Sequence, residues 1–166
     1  MTINLGNIKT QFKSILDAAN TTTAAYYLST GLNTKVQKVL KVNPSRISPQ
    51  ASFIPWVTIF TDKKSVENLN ATIARDQITG KRMANVSFGV VGAVWEDTLT
   101  EVTEDEGDEN IEILMENVEE VVRRSFKLNN AVAWSTTNDV SYHSLRIDEQ
   151  TNMRVGILTL SCRVDY

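Results

Sequence analysis

The chain has 166 residues, of which 42% are hydrophobic and 22% are charged, and this composition is typical of one ordinary globular domain over residues 1–166. The single cysteine, Cys162, excludes an internal disulfide and a cysteine metal cluster, and the single histidine, His143, excludes most metal and catalytic-triad chemistry. Residues 1–12 contain no apolar run of signal length, and no segment is apolar enough for a membrane span, so we expect a protein made in the cytosol.

The charged residues are unevenly distributed, although the net charge is only -3. Twelve of the 20 acidic residues lie between Glu96 and Glu120, where there is no Lys or Arg, so all 17 bases stand with the other eight acids. This separation favours head-to-tail docking of the acidic side of one copy against the basic side of the next. The alternative is a solvated acidic loop and helix face.

Residues 7–28 are predicted to form an N-terminal helix, because apolar residues recur there at helical spacing. The threonines at 21–23 are β-branched and disfavour a helix interior, so we expect a break near Asn20. Residues 35–42 alternate partly, which predicts a half-buried strand with Val36, Leu40 and Val42 in one phase.

Two later strands, 52–61 and 83–95, are predicted to be apolar on both sides. The first has Phe53, Val57 and Ile59 in one phase and Ile54, Trp56 and Phe60 in the other; the second has Val86, Phe88, Val90 and Val94 in one phase and Val91, Ala93 and Trp95 in the other. Both faces of these strands therefore need cover.

Residues 62–82 are predicted to form an excursion between these strands, shaped as a long hairpin with its turn at Thr79-Gly80, because they contain no strong core face. A disordered loop is the alternative. The segment carries five bases: Lys63, Lys64, Arg75, Lys81 and Arg82.

Residues 108–127 are predicted to form a one-sided helix with Asp108 as its N-cap and a left-handed turn at Asn129-Asn130. Its acids lie early and its bases lie late, which suits the helix dipole. The apolar stripe consists of Ile111, Leu114, Met115, Val118, Val121, Val122 and Phe126.

The last third of the chain predicts strands at 131–136, 140–147 and 153–166. In the final strand Leu158, Leu160, Cys162, Val164 and Tyr166 share one phase. Met153 and Val155 fall in the opposite phase, so a face-swapping bulge is predicted at Gly156.

This element order predicts an α+β two-layer sandwich, in which an antiparallel or mixed sheet carries the helices on one face. On the other face Trp56, Phe60, Val91 and Trp95 would be exposed unless something covers them, and aromatic residues of this kind are enriched at subunit interfaces. The alternative is that the N-terminal helix covers this face as a third layer.

No constellation of catalytic residues emerges, so we expect neither an enzyme nor a cofactor. His143 is interpreted as structural or surface, and Cys162 as a small buried hydrophobe. The acidic residues 101–109 lack the pattern of a calcium loop and are interpreted as stabilising a helix start. There is no phosphate loop or dinucleotide fingerprint, and no aromatic residue is interleaved among the bases as in a nucleic-acid surface.

The order of these elements resembles the tail terminator, or tail completion, proteins of tailed bacteriophages. The stretches that carry the resemblance are the N-terminal helix, IPWVTIF, the excursion 62–82, NVSFGVVGAVWED, VEEVVRRSFKLNN, VAWSTTNDVSYHSLRID and the final VDY. The likeness is one of pattern over nearly the whole chain, and the acidic connector 101–109 is longer than the family pattern.

The resemblance implies a homo-oligomeric ring, typically a hexamer, that caps the tail tube, stops its polymerisation and contacts head connector proteins. Such a protein is assembled in the host cytoplasm, becomes part of the virion tail or neck, lies close to DNA in the channel and binds no membrane. Trp56, Phe60 and Trp95 would then anchor the interface. Lys63, Lys64, Arg75, Lys81 and Arg82 would face the tube or lumen, and Glu104, Asp105 and Glu106 would form a charged docking edge.

Three other functions fit the same sequence. A head-side connector is a neighbouring possibility within virion assembly. A two-layer α+β domain is also able to bind a small regulatory ligand. The third is a metal-dependent hydrolase that uses the acidic run.

Overall fold

The protein has an α+β fold in which a five-stranded mixed sheet carries two helices on one face, as predicted. The computed structural model describes residues 3–47, 54–67, 83–97, 106–147 and 151–165. The helices are α1 (Leu5–Ala19) and α2 (Glu106–Arg124), and the strands are β1 (Lys38–Leu40), β2 (Trp56–Glu67), β3 (Met83–Asp97), β4 (Trp134–Arg146) and β5 (Thr151–Asp165).

The sheet has the strand order β1-β2-β3-β5-β4. β1 runs parallel to β2, whereas the β2–β3, β3–β5 and β5–β4 pairs are antiparallel. It follows that β1, β2 and β5 point one way and β3 and β4 the other. α1 packs over β1 and β2, and α2 packs over β3, β5 and β4. We call the face under both helices the helix face and the opposite one the second face.

α1 is shorter than the predicted 7–28 helix, and it ends where the break was expected. The Asn4 side chain accepts a hydrogen bond from the Asn7 amide at 2.9 Å, which caps the first turn, and Asn20 is the C-cap. The chain then turns over residues 21–31 without continuing the helix. The predicted apolar face is confirmed, since Ile8, Phe12, Ile15, Leu16 and Ala19 are all buried.

Side-chain amides hold the connection between α1 and β1 in place. The Asn117 amide, on α2, donates to the carbonyls of Leu28 at 3.0 Å and Thr30 at 2.8 Å. The Ser29 hydroxyl accepts from the Val36 amide at 2.9 Å. These bonds satisfy backbone groups that no regular ladder reaches, so the connection is part of the packed structure.

α2 lies on the sheet through the predicted stripe, and six of its seven residues are buried. Phe126 is the exception: it lies beyond the helix end, where Leu128, Asn129 and Asn130 have positive φ, and it is 48% exposed. The left-handed turn is therefore confirmed. Asp108 is not the N-cap, because the helix begins at Glu106; the Asp108 carboxylate instead lies 2.9 Å from Nε of Arg154 on β5.

The predicted bulge at Gly156 is wrong. β5 pairs with β3 without interruption from Thr151 to Asp165. A Cβ at Gly156 would lie 2.4 Å from Cγ of Met115, so glycine is needed there because α2 approaches the strand closely. Met153 and Val155 change phase because this end of the second face is apolar as well.

Several strand boundaries differ from the predicted ones. β1 is only a fragment of the 35–42 strand: Val36 and Val39 are buried, and Val42 is exposed. β2 continues to Glu67, opposite Met83, so the excursion does begin as two paired arms; residues 68–82, with the Thr79-Gly80 turn, lie outside the described ranges. β4 is one strand with an irregularity between Thr137 and Val140, where a break was predicted.

Candidate protein interaction surface

The second face of the sheet is apolar at one end and covered within the chain itself. Its buried cluster consists of Ile54, Trp56, Val91, Ala93, Met153 and Val155, against which Ile47 and Ile147 pack. Trp56 is only 4% exposed, so the expectation that it would lie open on this face is wrong. The 3-10 turn at Pro44–Arg46 and the residues around it approach this end of the face, a contact between distant segments that residue spacing does not reveal.

A groove of about 470 Å³ remains beside this cluster. It runs between the Pro44–Ile47 segment and the ends of β4 and β5, and apolar side chains dominate its wall. Leu145, at its β4 side, is 49% exposed. The groove is large enough for a small apolar molecule or for one or two side chains of a partner.

Phe60 and Trp95, the other two predicted anchors, are half-buried on the second face and pack against the same cluster. Phe60 lies directly over Gly89, where a Cβ would come within 2.3 Å of its ring. Part of each side chain remains exposed, and the predicted role of Phe60 and Trp95 in subunit contact stays a prediction. N-terminal helix α1 does not cover them, because its buried side chains belong to the helix face.

The other end of the second face is polar. Ser87 on β3 and Thr159, Ser161 and Arg163 on β5 point to this side and are half-buried. The Asn138 amide donates to the Ser161 hydroxyl at 2.8 Å, and Arg163 lies 3.4 Å from the Asp165 carboxylate. An apolar end and a polar end therefore share one sheet face.

β4 is a long edge strand that exposes large hydrophobic side chains. It pairs with β5 on one side and lies at the end of the sheet. Trp134 and Leu145 point to the second face and are 41% and 49% exposed, and Tyr142 points to the helix face and is 43% exposed. We did not predict these three residues as a site, although a strand with no continuous apolar phase is the sequence pattern of an edge.

α2 gives the β4 edge an acidic border on the helix face. The Thr137 hydroxyl donates to the Glu119 carboxylate at 2.9 Å. Burial raises the pKa of Tyr142 above its ordinary value, and the negative charges of Glu112, Glu116 and Glu119 raise it further. Glu112 and Glu116 are exposed, so their charges lie at the surface.

The C-terminal end of α2 is electrically more balanced. Arg123 and Arg124 both bind the Glu120 carboxylate, and these hydrogen bonds hold the pKa of Glu120 below its ordinary value. Arg124 also lies over the ring of Tyr26 at 3.5 Å, which joins α2 to the α1–β1 connection. The negative border along β4 therefore arises from the earlier turns of α2.

The opposite end of the sheet, formed by β1 and β2, is basic. Lys38 on β1, Lys41 just after it, and Lys63 and Lys64 on β2 are exposed. The Lys41 ammonium donates to the Thr10 hydroxyl of α1 at 2.9 Å, so Lys41 lies on the helix side. Lys63 and Lys64, predicted as part of the excursion, are thus on the β2 arm; Arg75, Lys81 and Arg82 lie outside the described residues.

The predicted docking edge Glu104, Asp105 and Glu106 falls mostly outside the structure. Glu104 and Asp105 are not among the described residues, and Glu106 is the first residue of α2. In the described ranges no three or more His, Cys, Asp or Glu side chains gather in a way that would hold a metal ion. Within the same residues, neither helix is long and apolar enough to cross a lipid bilayer.

The two residues of most chemical interest in the sequence lie apart. His143 is exposed on β4, with Nε2 3.3 Å from the Ser141 hydroxyl. Cys162 is buried on the helix face, as predicted, and burial raises its pKa to about 12. The thiol is therefore protonated at neutral pH and a poor nucleophile.

Comparisons with known proteins assign no family to the chain. None of the protein-family models matches the sequence, and a search of curated proteins finds none that is significantly similar to it.

Proposed function

We propose that the chain is a structural subunit of a tailed-phage virion: a tail terminator that forms a ring, caps the tail tube, stops its polymerisation and joins the tail to the head. The proposal assigns no chemical reaction. It rests on the resemblance in element order and on the surface of the folded chain.

The observation that carries the proposal is the exposed apolar character of β4. Six large hydrophobic side chains are exposed in the described part of the chain, and three of them, Trp134, Tyr142 and Leu145, lie on this one strand. Exposed Trp, Tyr and Leu distributed along one edge strand are typical of a strand that a protein partner covers.

The distribution of charge supports self-association as the kind of docking. The acidic border lies along β4, and the basic residues lie at the other end of the sheet, on β1 and β2. A subunit with opposite charges at its two ends matches the next copy head to tail, and repetition of such a contact closes a ring.

The burial of Trp56 changes one part of the earlier hypothesis. Trp56 is a core residue of the second face, so it does not drive ring formation. Phe60 and Trp95 remain predicted interface residues, because part of each side chain is accessible. The bases on β2 remain predicted to face the tube or lumen.

The proposal is tested by the mass of the native particle, alone and with tail tube protein. We expect a closed oligomer, and we expect that its addition to polymerising tube protein limits tube length. A chain that stays monomeric at high micromolar concentration, alone and with tube protein, contradicts the proposal. Binding to portal-side proteins instead of tube protein assigns it to a head-side connector.

A matched pair of variants links this result to β4. Trp134→Ser with Leu145→Ser removes two exposed side chains from the proposed surface, and we expect it to weaken association without lowering the melting temperature appreciably. Tyr26→Ser, which alters an exposed aromatic residue away from the sheet, is the control.

A small-ligand-binding domain is the second candidate, and the groove of about 470 Å³ beside Leu145 and Met153 favours it. A thermal-shift screen against a panel of metabolites tests it, because a specific ligand raises the melting temperature. Met153→Trp, which would fill the groove, should abolish such a shift.

A further inference from the structure

Two strand edges lie open at opposite ends of the sheet. Among the strands that the structure describes, none pairs with the outer side of β4. On the other side, β1 covers only Trp56–Thr58 of β2, and the rest of β2 pairs with β3 alone among the described residues. Each copy thus has a second strand edge that is able to accept a partner strand.

The strand directions make these two edges compatible. β4 runs opposite to β2, as the three antiparallel pairs between them require. In a head-to-tail ring every copy has the same orientation about the axis. A junction between β4 of one copy and β2 of the next is therefore antiparallel, which is the more stable pairing.

The two open stretches also lie at the same height. Following the register across the sheet, Lys63 of β2 shares a row with Thr136 of β4, and Ser65 shares a row with Trp134. Both stretches, 63–65 and 134–136, are free of register shifts. Continuation of the sheet at equal height would place the Trp134 ring diagonally across from Lys63 on the second face, within reach of a cation–π contact.

The irregularity in β4 allows β1 to fit beside such a junction. Towards the Trp56 end of β2, the neighbouring position in the next copy is already occupied by β1, as far as the row of Thr58. β4 must bend away there. Its register shift, between Thr137 and Val140, lies between the rows of Thr61 and Ile59, immediately above that point. A bulge bends its strand, and this one lies where the bend is needed.

Bulges and lysines on edge strands also protect against unwanted pairing, and this is the competing explanation. Charge decides between them. The α2 carboxylates Glu112 and Glu116 border β4 on the helix side, and Lys41 and Lys64 lie on the helix side of the β1–β2 edge. Lys64 shares the row of Ser135, beside the basic end of α2, whereas Lys41 follows the partner of Thr58 and lies closer to the height of Glu116. Opposite charges would therefore meet at Lys41, and a purely protective edge needs no such complementary partner.

We propose that a second copy of this chain occupies each open edge: residues 134–136 of β4 pair antiparallel with residues 63–65 of β2 in the next copy, and Glu112 and Glu116 face its Lys41. This interface rests on the proposed function, since it supplies the junction of the ring.

Charge reversal tests the interface. One variant carries Lys41→Glu, so that acidic residues stand on both sides of the charged contact. The other carries Glu112→Lys with Glu116→Lys, so that basic residues stand on both sides. We expect each variant alone to lose at least about tenfold in association, because like charges meet at every junction. A mixture of the two should assemble again, with alternating copies.

A control separates this effect from a change in net charge. Arg46→Glu changes the charge by the same amount as the first variant, but in the exposed Pro44–Arg46 turn on the second face, away from the α2 carboxylates. We expect it to assemble like the wild type. Circular dichroism melting of all three variants shows whether each is folded.

Cysteine pairing tests the register independently. Lys63→Cys in one copy and Thr136→Cys in another should form a disulfide-linked dimer when mixed, whereas Lys63→Cys with Ser141→Cys should not. Cys162 does not interfere, since it is buried. If the wild type forms rings but the mixture fails to recover or no cross-link forms, this interface is wrong and the proposed function stands; if the wild type never associates, both fail.

Discussion

Both faces of the sheet carry an apolar cluster, but the two clusters differ in extent and in what covers them. On the helix face, two helices seal a core that runs the whole length of the central strands, from Val94 to Ala84 on β3. On the second face the apolar cluster occupies one end, beside the Pro44–Arg46 turn, and the other end is polar. Packing under the helices therefore stabilises the whole length of the sheet, whereas packing on the second face stabilises only one end of it.

The largest effect is expected at the centre of the helix face. Val118→Asp places a charge at a fully buried position in the middle of the α2 stripe, so we expect it to lower the free energy of unfolding by more than about 3 kcal/mol. Urea unfolding followed by circular dichroism measures this. Glu112→Asp, on the exposed side of the same helix, is the control, and near-wild-type melting of Val118→Asp would contradict the placement of this face.

A smaller effect is expected at the apolar end of the second face. Trp56→Ala should lower the free energy of unfolding by about 2–3 kcal/mol, at the low end for a buried Trp, because the groove beside it lets neighbours relax. Thermal melting should show a cooperative transition with native helix content. The exposed Trp134→Ala is the matched control; an equal loss in both variants would remove the distinction between core and surface.

Gly156 tests how closely α2 approaches the sheet. A methyl group there would lie 2.4 Å from Cγ of Met115, so Gly156→Ala should lower the free energy of unfolding by about 1–2 kcal/mol. In a Met115→Ala background the same substitution should cost little, since the contact has been removed. A double-mutant cycle by chemical denaturation measures this coupling, and simple additivity would argue against the contact.

The smallest effect is expected at the polar end of the second face. Ser87→Val should change the free energy of unfolding by less than about 0.5 kcal/mol, because no core surrounds that position. Val91→Ser, on the same strand and the same face, should destabilise the protein clearly. Equal effects in the two variants, measured by thermal melting, would mean that the second face has no such polarity.

Residue periodicity predicted the helix face well. The α2 stripe, the two phases of β3 and the buried side of α1 all follow from which side chains share one side of an element. Phe126 was assigned to the stripe because its spacing fits, yet the helix ends before it. The helical spacing of apolar residues thus extends past Arg124, although the helix itself ends there.

The cover of the second face was beyond such reasoning. Periodicity shows that Trp56 needs an apolar neighbour, but not that Ile47 and Ile147 supply one. The same limit explains the error at Gly156, where a change of phase suggested a bulge. Met153 and Val155 keep the regular register and meet a second apolar cluster, which only the three-dimensional arrangement reveals.

The position of β5 has a consequence for how the protein is made. β5 lies between β3 and β4 and pairs with both, yet it follows them in the sequence. Until the ribosome has delivered residues 151–165, the nascent β3 and β4 have no strand between them, and the apolar residues of β3 lack the packing that β5 supplies. A nascent chain that stops before β5 therefore exposes apolar surface and is prone to aggregate. We expect chaperones to bind such chains more strongly than the complete chain.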